Sequence, residues 1–173
     1  MSTSVPSDRR QFLSFTLAGC DYGVPILHVK EILQYEAITR VPSVPRWIRG
    51  IINLRGAVVP VVDLAVKLGL PETAVTPRTC ILIVEATLGA DRTVMGVLAD
   101  AVIEVLDLGP GDVEPPPPFG TGIGVDHLTG MAKVGKGFVL LLEIDRVLSV
   151  DEKELVVRAP PEQVRAPTPE ERP

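Results

Sequence analysis

The apolar residues of this chain occur in short runs that are separated by glycine, proline and polar turn residues. Residues 11–18 alternate between apolar and polar side chains, and this period of two predicts a half-buried strand. After a short turn, residues 22–27 are expected to form the returning strand of a hairpin. Val29, Ile32 and Leu33 then fall at helical spacing, so the pattern predicts a helix after the hairpin.

Residues 50–68 are central to the chain and predict a second hairpin, followed by a short helical turn after Asp63. Their apolar residues follow one another directly, so both faces of both strands are expected to be buried. The turn lies at residues 53–56 and contains Arg55, an isolated charge in an otherwise charge-poor stretch. Six of the apolar residues are β-branched, which favours strands over helices: Ile51, Ile52, Val58, Val59, Val61 and Val62.

The same pattern recurs later in the chain. Residues 50–68 align without gaps on residues 130–148, an offset of 80, and residues 22–33 align on residues 95–106, an offset of 73. A third, shorter match places the strand end and turn at residues 15–19 on residues 86–89. Three matches in the same order indicate a duplicated unit of roughly 60–70 residues. Chance similarity among apolar strands is the alternative. The matched residues include Gly23 and Gly96, Gly50 and Gly130, Asp63 and Glu143, and Glu31 and Glu104.

The remaining segments complete a division into an arm, a duplicated domain and a tail. Residues 1–10 are expected to be a flexible arm, and residues 159–173 a disordered, proline-rich tail. Between them we expect a domain at residues 11–158, with a first barrel mainly at 11–70 and a second mainly at 78–148, between which strands can be exchanged. Within this domain the sequence predicts a short helix at 45–50, a loop at 69–77, strands at 79–85, 94–99 and 138–142, an irregular loop at 112–124 and a C-terminal helix at about 150–158.

Composition excludes several classes of protein. Hydrophobic residues make up 46% of the 173-residue chain, which is typical of a globular protein. A net charge of −5 with 4% aromatic residues argues against a nucleic-acid surface, which needs clustered cations and stacking rings. No apolar run approaches the ~18 residues of a membrane helix, so direct membrane insertion is not expected. With no signal-peptide pattern and only Cys20 and Cys80 as cysteines, we expect a cytoplasmic protein.

No group of residues in the sequence suggests catalysis or a cofactor. Residues 130–137 nearly match a phosphate-binding loop, but Gly137 stands where serine or threonine would bind magnesium, and a strand follows instead of a helix. His28 and His127 have no second ligand at metal-binding spacing. Cys20 and Cys80 have no base close to them in sequence. We therefore expect a protein that is not an enzyme and binds no cofactor or metal.

These motifs together resemble the CheW family of bacterial chemotaxis coupling proteins over about residues 12–158. The resemblance is carried by Gly50, residues 53–56, Pro60 and Asp63 at their observed spacing, by Val29, Glu31 and Ile32 before them, and by residues 128–130. It implies a mostly β fold of two five-stranded, SH3-like β-barrels that share a hydrophobic core, with short helices and a C-terminal helix. It also implies a non-catalytic adaptor, recruited to membrane receptor arrays, that links the cytoplasmic tips of methyl-accepting chemoreceptors to the regulatory domain of the CheA histidine kinase. The proline-rich stretch at residues 112–124 departs from the family pattern.

The resemblance also assigns two binding surfaces. The receptor-facing surface would contain Val29, Glu31, Gly50, Arg55 and Val105. The kinase-facing surface would contain Thr79, Cys80 and Ile81. From the isolation of their charges, Glu31 and Arg55 are expected to form an ion pair at the rim of a groove. Two alternatives stay open: a CheW-like module that serves a histidine-kinase array unrelated to motility, and a small-barrel enzyme or ligand-binding protein.

Overall fold

The computed structural model describes residues 9–115 and 127–149, and nearly all of their regular structure is strand. Two short helices, α1 (Leu64–Lys67) and α2 (Ile144–Leu148), each follow the second strand of a hairpin. One-turn 3₁₀ helices lie at Ile26–His28 and Pro110–Asp112. The strands are β1 (Arg10–Leu17), β2 (Cys20–Pro25), β3 (Val29–Gln34), β4 (Ile48–Leu54), β5 (Ala57–Val62), β6 (Cys80–Leu88), β7 (Asp91–Ala99), β8 (Ala101–Leu108), β9 (Val113–Glu114), β10 (Leu128–Val134) and β11 (Gly137–Leu142).

The strands form two sheets, and each sheet takes strands from both halves of the chain. The first sheet has the order β8-β1-β2-β11-β10-β9, and the second has the order β3-β6-β7-β5-β4. Two pairings are parallel, β2 with β11 and β5 with β7, and they join a hairpin of one half to a hairpin of the other. Each sheet therefore combines strands from both predicted ranges, 11–70 and 78–148.

Each sheet curls on itself. In the second sheet, the terminal strands β3 and β4 meet where Glu31 of β3 binds Arg55 in the turn after β4. In the first sheet, the terminal strands β8 and β9 are joined by the turn at Pro110–Asp112. The predicted fold class, mostly β with two SH3-like barrels, is confirmed. The first sheet has six strands instead of five because the two-residue strand β9 pairs with β10. In the second sheet, Thr39 takes the corresponding place, but it forms only an isolated bridge with Ile51 of β4.

Buried apolar side chains fill the interior of each barrel and the space between the barrels. Phe12, Ala132 and Leu141 belong to the cluster of the first sheet, and Val61 and Ile81 to the cluster of the second. A larger cluster draws on strands of both sheets and on both helices, including Phe15, Trp47, Val62, Leu82, Val97, Leu142 and Ile144. Burial of this shared surface couples the barrels, because neither could expose it to water without a large loss of hydrophobic stabilisation.

The position of Val61 and Val62 explains the continuous apolar run in β5. Val61 points into the barrel of the second sheet, and Val62 points into the shared core, so consecutive residues are both buried. The prediction that both faces of this hairpin are buried is confirmed there. It is wrong at the tip of the hairpin, where Asn53 and Val58 are exposed.

The duplication predicted from the sequence is confirmed by matching irregularities in the two halves. The pairing of β4 with β5 shifts register between Ile48 and Gly50, and the pairing of β10 with β11 shifts between Leu128 and Gly130, 80 positions later in each case. The amide N–H of Asp63 donates to the carbonyl oxygen of Trp47, and the N–H of Glu143 donates to that of His127. Backbone details of this kind are inherited with a fold and do not arise from apolar composition alone.

Two predicted helices are wrong. Residues 29–34 form β3, in which partly buried and exposed residues alternate, and which pairs with β6. A segment of six residues is too short to hold a helix without tertiary support, and pairing with β6 satisfies its backbone groups instead. At residues 45–50 there is one turn, closed by the N–H of Ile48 and the carbonyl oxygen of Pro45, and β4 begins at Ile48.

Several predictions fall wholly or partly outside the described residues. These are the arm at residues 1–8, the loop at 116–124, the C-terminal helix at 150–158 and the tail at 159–173. Arg10 is already part of β1, so the arm is shorter than predicted. Residues 110–115 contain a 3₁₀ turn and β9, so the start of the predicted irregular loop is regular. The division of residues 11–158 into two barrel units stays a prediction.

Candidate functional site

Glu31 and Arg55 form an ion pair at the surface of the second sheet, as the sequence predicted. The Nη2 of Arg55 donates to Oε2 of Glu31, and Nη1 lies 3.5 Å from Oε1, so the two groups face each other as a fork. The Arg55 side chain is 71% exposed, and that of Glu31 is 29% exposed. The hydrogen bond and the charge of Glu31 raise the pKa of Arg55 further above its ordinary value. The pair therefore presents a fixed, charged feature to solvent.

The turn that carries Arg55 is built by its sequence. Arg55 and Gly56 occupy the two central positions between β4 and β5, with φ of 51° and 90°. Two positive φ values in succession are the signature of a type I′ turn, whose twist matches that of a hairpin. The side-chain oxygen of Asn53 accepts a hydrogen bond from the N–H of Gly56 at 2.8 Å and closes the turn. Arg55 is thus held in a strained backbone region that orients its side chain outward.

Val29 and Gly50, the next two residues of the predicted receptor-facing surface, lie in the same sheet. Val29 opens β3 and is half-buried against the shared core. Gly50 is buried, and a Cβ at this position would collide with the carbonyl oxygen of Thr39, which accepts a hydrogen bond from Ile51. Its counterpart Gly130 is crowded in the same way by β9. Gly50 therefore shapes the surface through its backbone and presents no side chain to a partner.

Val105 lies on β8, an edge strand of the first sheet, and its side chain is 50% exposed. The structure therefore distributes the five residues of the predicted receptor-facing surface over both sheets, with Val29, Glu31, Gly50 and Arg55 on one and Val105 on the other. The position that corresponds to Val105 in the first half is Ile32, which is also exposed, at 45%.

Sequence reasoning missed two exposed apolar residues of the second sheet. Ile32 follows Glu31 in β3, and Val58, 69% exposed, lies in β5 just beyond the turn of Arg55. Exposed apolar side chains are common in protein-binding surfaces, whose buried centre is apolar and whose rim is polar. The apolar residues at 29–34 fall at helical spacing, so no alternating pattern marked Ile32 as exposed. No signal distinguished Val58 from its buried neighbours.

The predicted kinase-facing residues differ in exposure. Ile81 is completely buried inside the barrel of the second sheet. Thr79 is 1% exposed; its Oγ1 accepts from the N–H of Thr76 at 2.8 Å, and its carbonyl oxygen accepts from Tyr35. Only Cys80, the first residue of β6, is half-exposed. Strand alternation turns Ile81 inward and the loop bonds engage Thr79, so both side chains are buried in the free protein. The assignment of these three residues to a kinase-facing surface stays a prediction.

Asp63 of the sequence motif is buried and binds within the chain. One carboxylate oxygen accepts from Arg49 at 3.1 Å and from the N–H of Thr73 at 3.0 Å, and the other accepts from the Thr73 hydroxyl at 2.9 Å. Arg49 also donates to the Thr73 carbonyl oxygen at 2.6 Å. A buried ion pair needs such additional hydrogen bonds to offset the loss of hydration. Asp63 therefore serves the fold.

The side chains that could hold a metal ion do not cluster in the part of the chain that the structure describes. No set of three histidine, cysteine, aspartate or glutamate residues converges within residues 9–115 and 127–149. His28 bonds the carbonyl oxygen of Glu85. Residues 130–137, which nearly match a phosphate-binding loop, form β10 and the following hairpin turn. Within the same residues, no helix has the length and apolar character needed to cross a membrane.

Comparisons with known proteins point to one family. A family model described as a CheW-like domain matches residues 11–152. The chain is 35% identical over 147 residues to a chemotaxis protein CheW of Klebsiella aerogenes, covering 85% of this chain and 86% of the relative. It is 30% identical over 152 residues to protein FrzA of Myxococcus xanthus, covering 86% and 91%. The crystal structure of scaffolding protein TtCheW from Thermoanaerobacter tengcongensis superposes with a TM-score of 0.73 at 33% identity, covering 85% of this chain and 92% of that one.

Proposed function

Since this chain belongs to the family of CheW-like domains, a family of chemotaxis scaffold proteins, we propose that it is a non-catalytic adaptor that holds a chemoreceptor and a histidine kinase at the same time. The receptor partner would be the cytoplasmic tip of a methyl-accepting chemoreceptor. The kinase partner would be the regulatory domain of a CheA-type kinase. The protein would act in the cytoplasm, at receptor arrays on the membrane.

The proposal rests above all on the ion pair of Glu31 and Arg55 at the rim of the second sheet. The pair is exposed and is fixed by a strained turn, and Ile32 and Val58 of the same sheet are exposed as well. Charged groups at a rim contribute mainly to specificity and to the rate of association, while apolar neighbours supply buried area. The chain has the elements of a protein-binding surface here, and we assign it to the receptor.

The kinase-facing surface is proposed to centre on Cys80. Its neighbours Thr79 and Ile81 are buried, so we reassign their side chains to the interior of the fold. Exposed Arg78 precedes this segment, and exposed Gln34 pairs with Cys80 across the sheet. A partner would thus meet Cys80, Arg78 and Gln34.

Titration calorimetry with the full chain tests the proposal. The two titrants are a receptor cytoplasmic tip fragment and the isolated regulatory domain of the kinase, added singly and then in succession. An adaptor binds both and accepts the second titrant when the first is saturating. A chain that binds neither, or that releases one when the other is added, is not a bridging adaptor.

Two substitutions assign the surfaces. Arg55→Ala should weaken receptor binding at least tenfold and leave kinase binding within about threefold, which is less than ~1 kcal/mol. Cys80→Glu should do the reverse. Arg92→Ala, an exposed arginine elsewhere on the second sheet, is the matched control and should change neither affinity. Loss of both partners in either folded variant would show that there is one shared surface.

A second candidate function is a CheW-like module in a histidine-kinase array that does not serve motility. The observation that keeps it as a candidate is that one relative matched over 86% of this chain, protein FrzA of Myxococcus xanthus, is not named a chemotaxis protein. Both candidates predict binding to a receptor and a kinase. Loss of swimming chemotaxis after deletion of the gene would support the adaptor for motility, and normal chemotaxis with another defect would support the second candidate.

A further inference from the structure

The loop between the two halves, residues 69–79, is fastened at its middle by buried charges. Thr73 is 7% exposed, although both of its neighbours are exposed. Its N–H and hydroxyl both donate to the carboxylate of Asp63, and its carbonyl oxygen accepts from Arg49. The side chains of Arg49 and Asp63 are 8% and 1% exposed. All three polar groups of Thr73 are therefore bound by one ion pair, which we name the Arg49–Asp63 clasp.

The position of Asp63 indicates that the clasp serves the loop and not the helix. Asp63 is the residue before α1, where an aspartate commonly caps the helix by accepting from its first N–H groups. Its side chain makes no such bond. Both of its oxygens are directed to Thr73 and Arg49 instead. A capping role is thus excluded for this carboxylate.

The described residues of the second half contain no counterpart of the clasp. The residues that correspond to Asp63 and Arg49, at the offset of 80, are Glu143 and Thr129. Thr129 donates to the carbonyl oxygen of Leu141, and Glu143 is half-exposed. Within the described residues, the clasp is therefore found only in the half whose helix is followed by the loop at residues 69–79.

The fastened loop leads directly to the proposed kinase-facing residue. From Thr73 the chain reaches Cys80, at the start of β6, through a short turn. In that turn the Thr79 hydroxyl accepts from the N–H of Thr76 at 2.8 Å, and the Thr76 hydroxyl accepts from the N–H of Arg78 at 3.1 Å. The loop also forms one wall of a surface groove of about 780 Å³, whose other wall includes Ala18 and Ala101 of the first sheet.

We propose that Arg49 and Asp63 are positioning residues for kinase binding: by holding Thr73 they fix the loop at residues 69–79, and with it the surface around Arg78 and Cys80. This inference rests on the proposed function, since it concerns the kinase-facing surface. Arg49 also lies in β4, so the clasp anchors the loop to the strand that leads into the turn of Arg55. The clasp touches no partner and acts through the loop.

Hydrogen exchange and binding, measured on the same variants of the full chain, test this inference. Thr73→Val removes the hydroxyl that binds Asp63 and keeps the side-chain volume, and Thr73→Ser restores a hydroxyl. Asp63→Asn weakens the clasp from the other side. Thr87→Val, at an exposed threonine of β6, is the matched control. Amide exchange at residues 70–79 is read together with the dissociation constants for the kinase regulatory domain and for the receptor tip.

We expect Thr73→Val and Asp63→Asn to speed exchange in the loop at least fivefold and to weaken kinase binding at least fivefold. Receptor binding should stay within twofold, and Thr73→Ser and Thr87→Val should behave as the wild type. Unchanged loop exchange, faster exchange with unchanged kinase binding, or parallel loss of both partners would each overturn the inference. If Asp63→Asn does not fold, Thr73→Val decides. A wild-type chain that fails to bind the kinase domain overturns the proposed function itself, and the exchange data then show separately whether the clasp holds the loop.

Discussion

A substitution at Ile81 tests which criterion identifies the residues that bind a partner: exposure in the structure or membership of the sequence motif. Its side chain is 0% exposed and packs with Val61 and Leu98 inside the barrel of the second sheet. It also lies against Gly96, where a Cβ would be only 2.9 Å from Cγ2 of Ile81. Ile81→Ala removes every atom beyond Cβ and leaves a cavity among strands that are paired on both sides, so little collapse is possible.

Substitutions of this kind lower the free energy of unfolding by about 2–5 kcal/mol, through lost burial and the remaining cavity. We expect the upper part of that range, because the surrounding strands are fixed by their ladders. For a domain of this size each kcal/mol lowers the melting temperature by about 2–4 °C, which gives a fall of roughly 6–20 °C. Kinase affinity, in contrast, should change by less than threefold, since Ile81 contributes no exposed surface.

The assay is a thermal melt by circular dichroism, followed by calorimetric titration at a temperature where the variant is fully folded. Ile83→Ala is the matched control, because Ile83 is buried in the same cluster and was assigned to neither surface. The two variants should lose comparable stability and keep kinase binding. If Ile81→Ala melts like the wild type and loses the kinase domain, Ile81 contacts the partner directly, and the reasoning from burial is wrong.

Three further predictions concern the surface pair, a buried tyrosine and the tail. Arg55→Ala should melt within a few degrees of the wild type while losing the receptor, because the pair lies at the surface; an unfolded variant would show that Arg55 is structural. Burial, and secondarily the charge of Cys20, raise the pKa of Tyr22, so the unfolded chain releases this proton first and stability falls as the pH rises above about 10. Tyr22→Phe should remove that part of the alkaline loss in denaturant titrations, and an unchanged slope would contradict this assignment. Deletion of residues 160–173, which have few apolar groups, should alter neither the melting temperature nor kinase affinity, and a large fall in either would refute it.

The strands and turns of the central hairpin could be predicted because local chemistry determines them. β-branched residues favour a pleated strand, and Asn53, Arg55 and Gly56 suit a tight turn with positive φ. The duplication could also be predicted from the sequence, because the matched glycines lie where neighbouring atoms leave no room for a Cβ in either half. A Cβ on Gly130 would lie 2.6 Å from Val113, and Gly50 is crowded in the same manner by Thr39.

The features that could not be predicted depend on contacts between residues that are distant in sequence. Residues 29–34 became a strand because β6, some fifty residues later, offered a partner for their backbone. The burial of Thr79 and Ile81 depends on the loop and on the barrel interior, neither of which is visible in a local pattern. The motif residue Asp63 could be found by spacing, but its bonds to Thr73 and Arg49 join segments that only folding brings together.

The two halves share a backbone but differ in some of their charged residues, and we expect these differences to determine which partner each half binds. The apolar contacts, the glycines and the register shifts recur at offsets of 73 and 80. The carboxylates recur as Glu104 and Glu143, but their cationic partners do not. Gly135 stands where Arg55 binds Glu31 in the first half, so the described residues of the second half contain no counterpart of that surface ion pair.

Among the residues that the structure describes, the clasp likewise occurs only in the first half, where Asp63 and Arg49 have Glu143 and Thr129 as counterparts. The shared backbone thus supplies two similar barrels, and a few charges make them different. Asymmetry of this kind is what an adaptor needs, since two identical barrels would present the same surface twice and could not distinguish a receptor from a kinase. The substitutions at Arg55 and Asp63 therefore test whether these charges distinguish the two proposed binding surfaces.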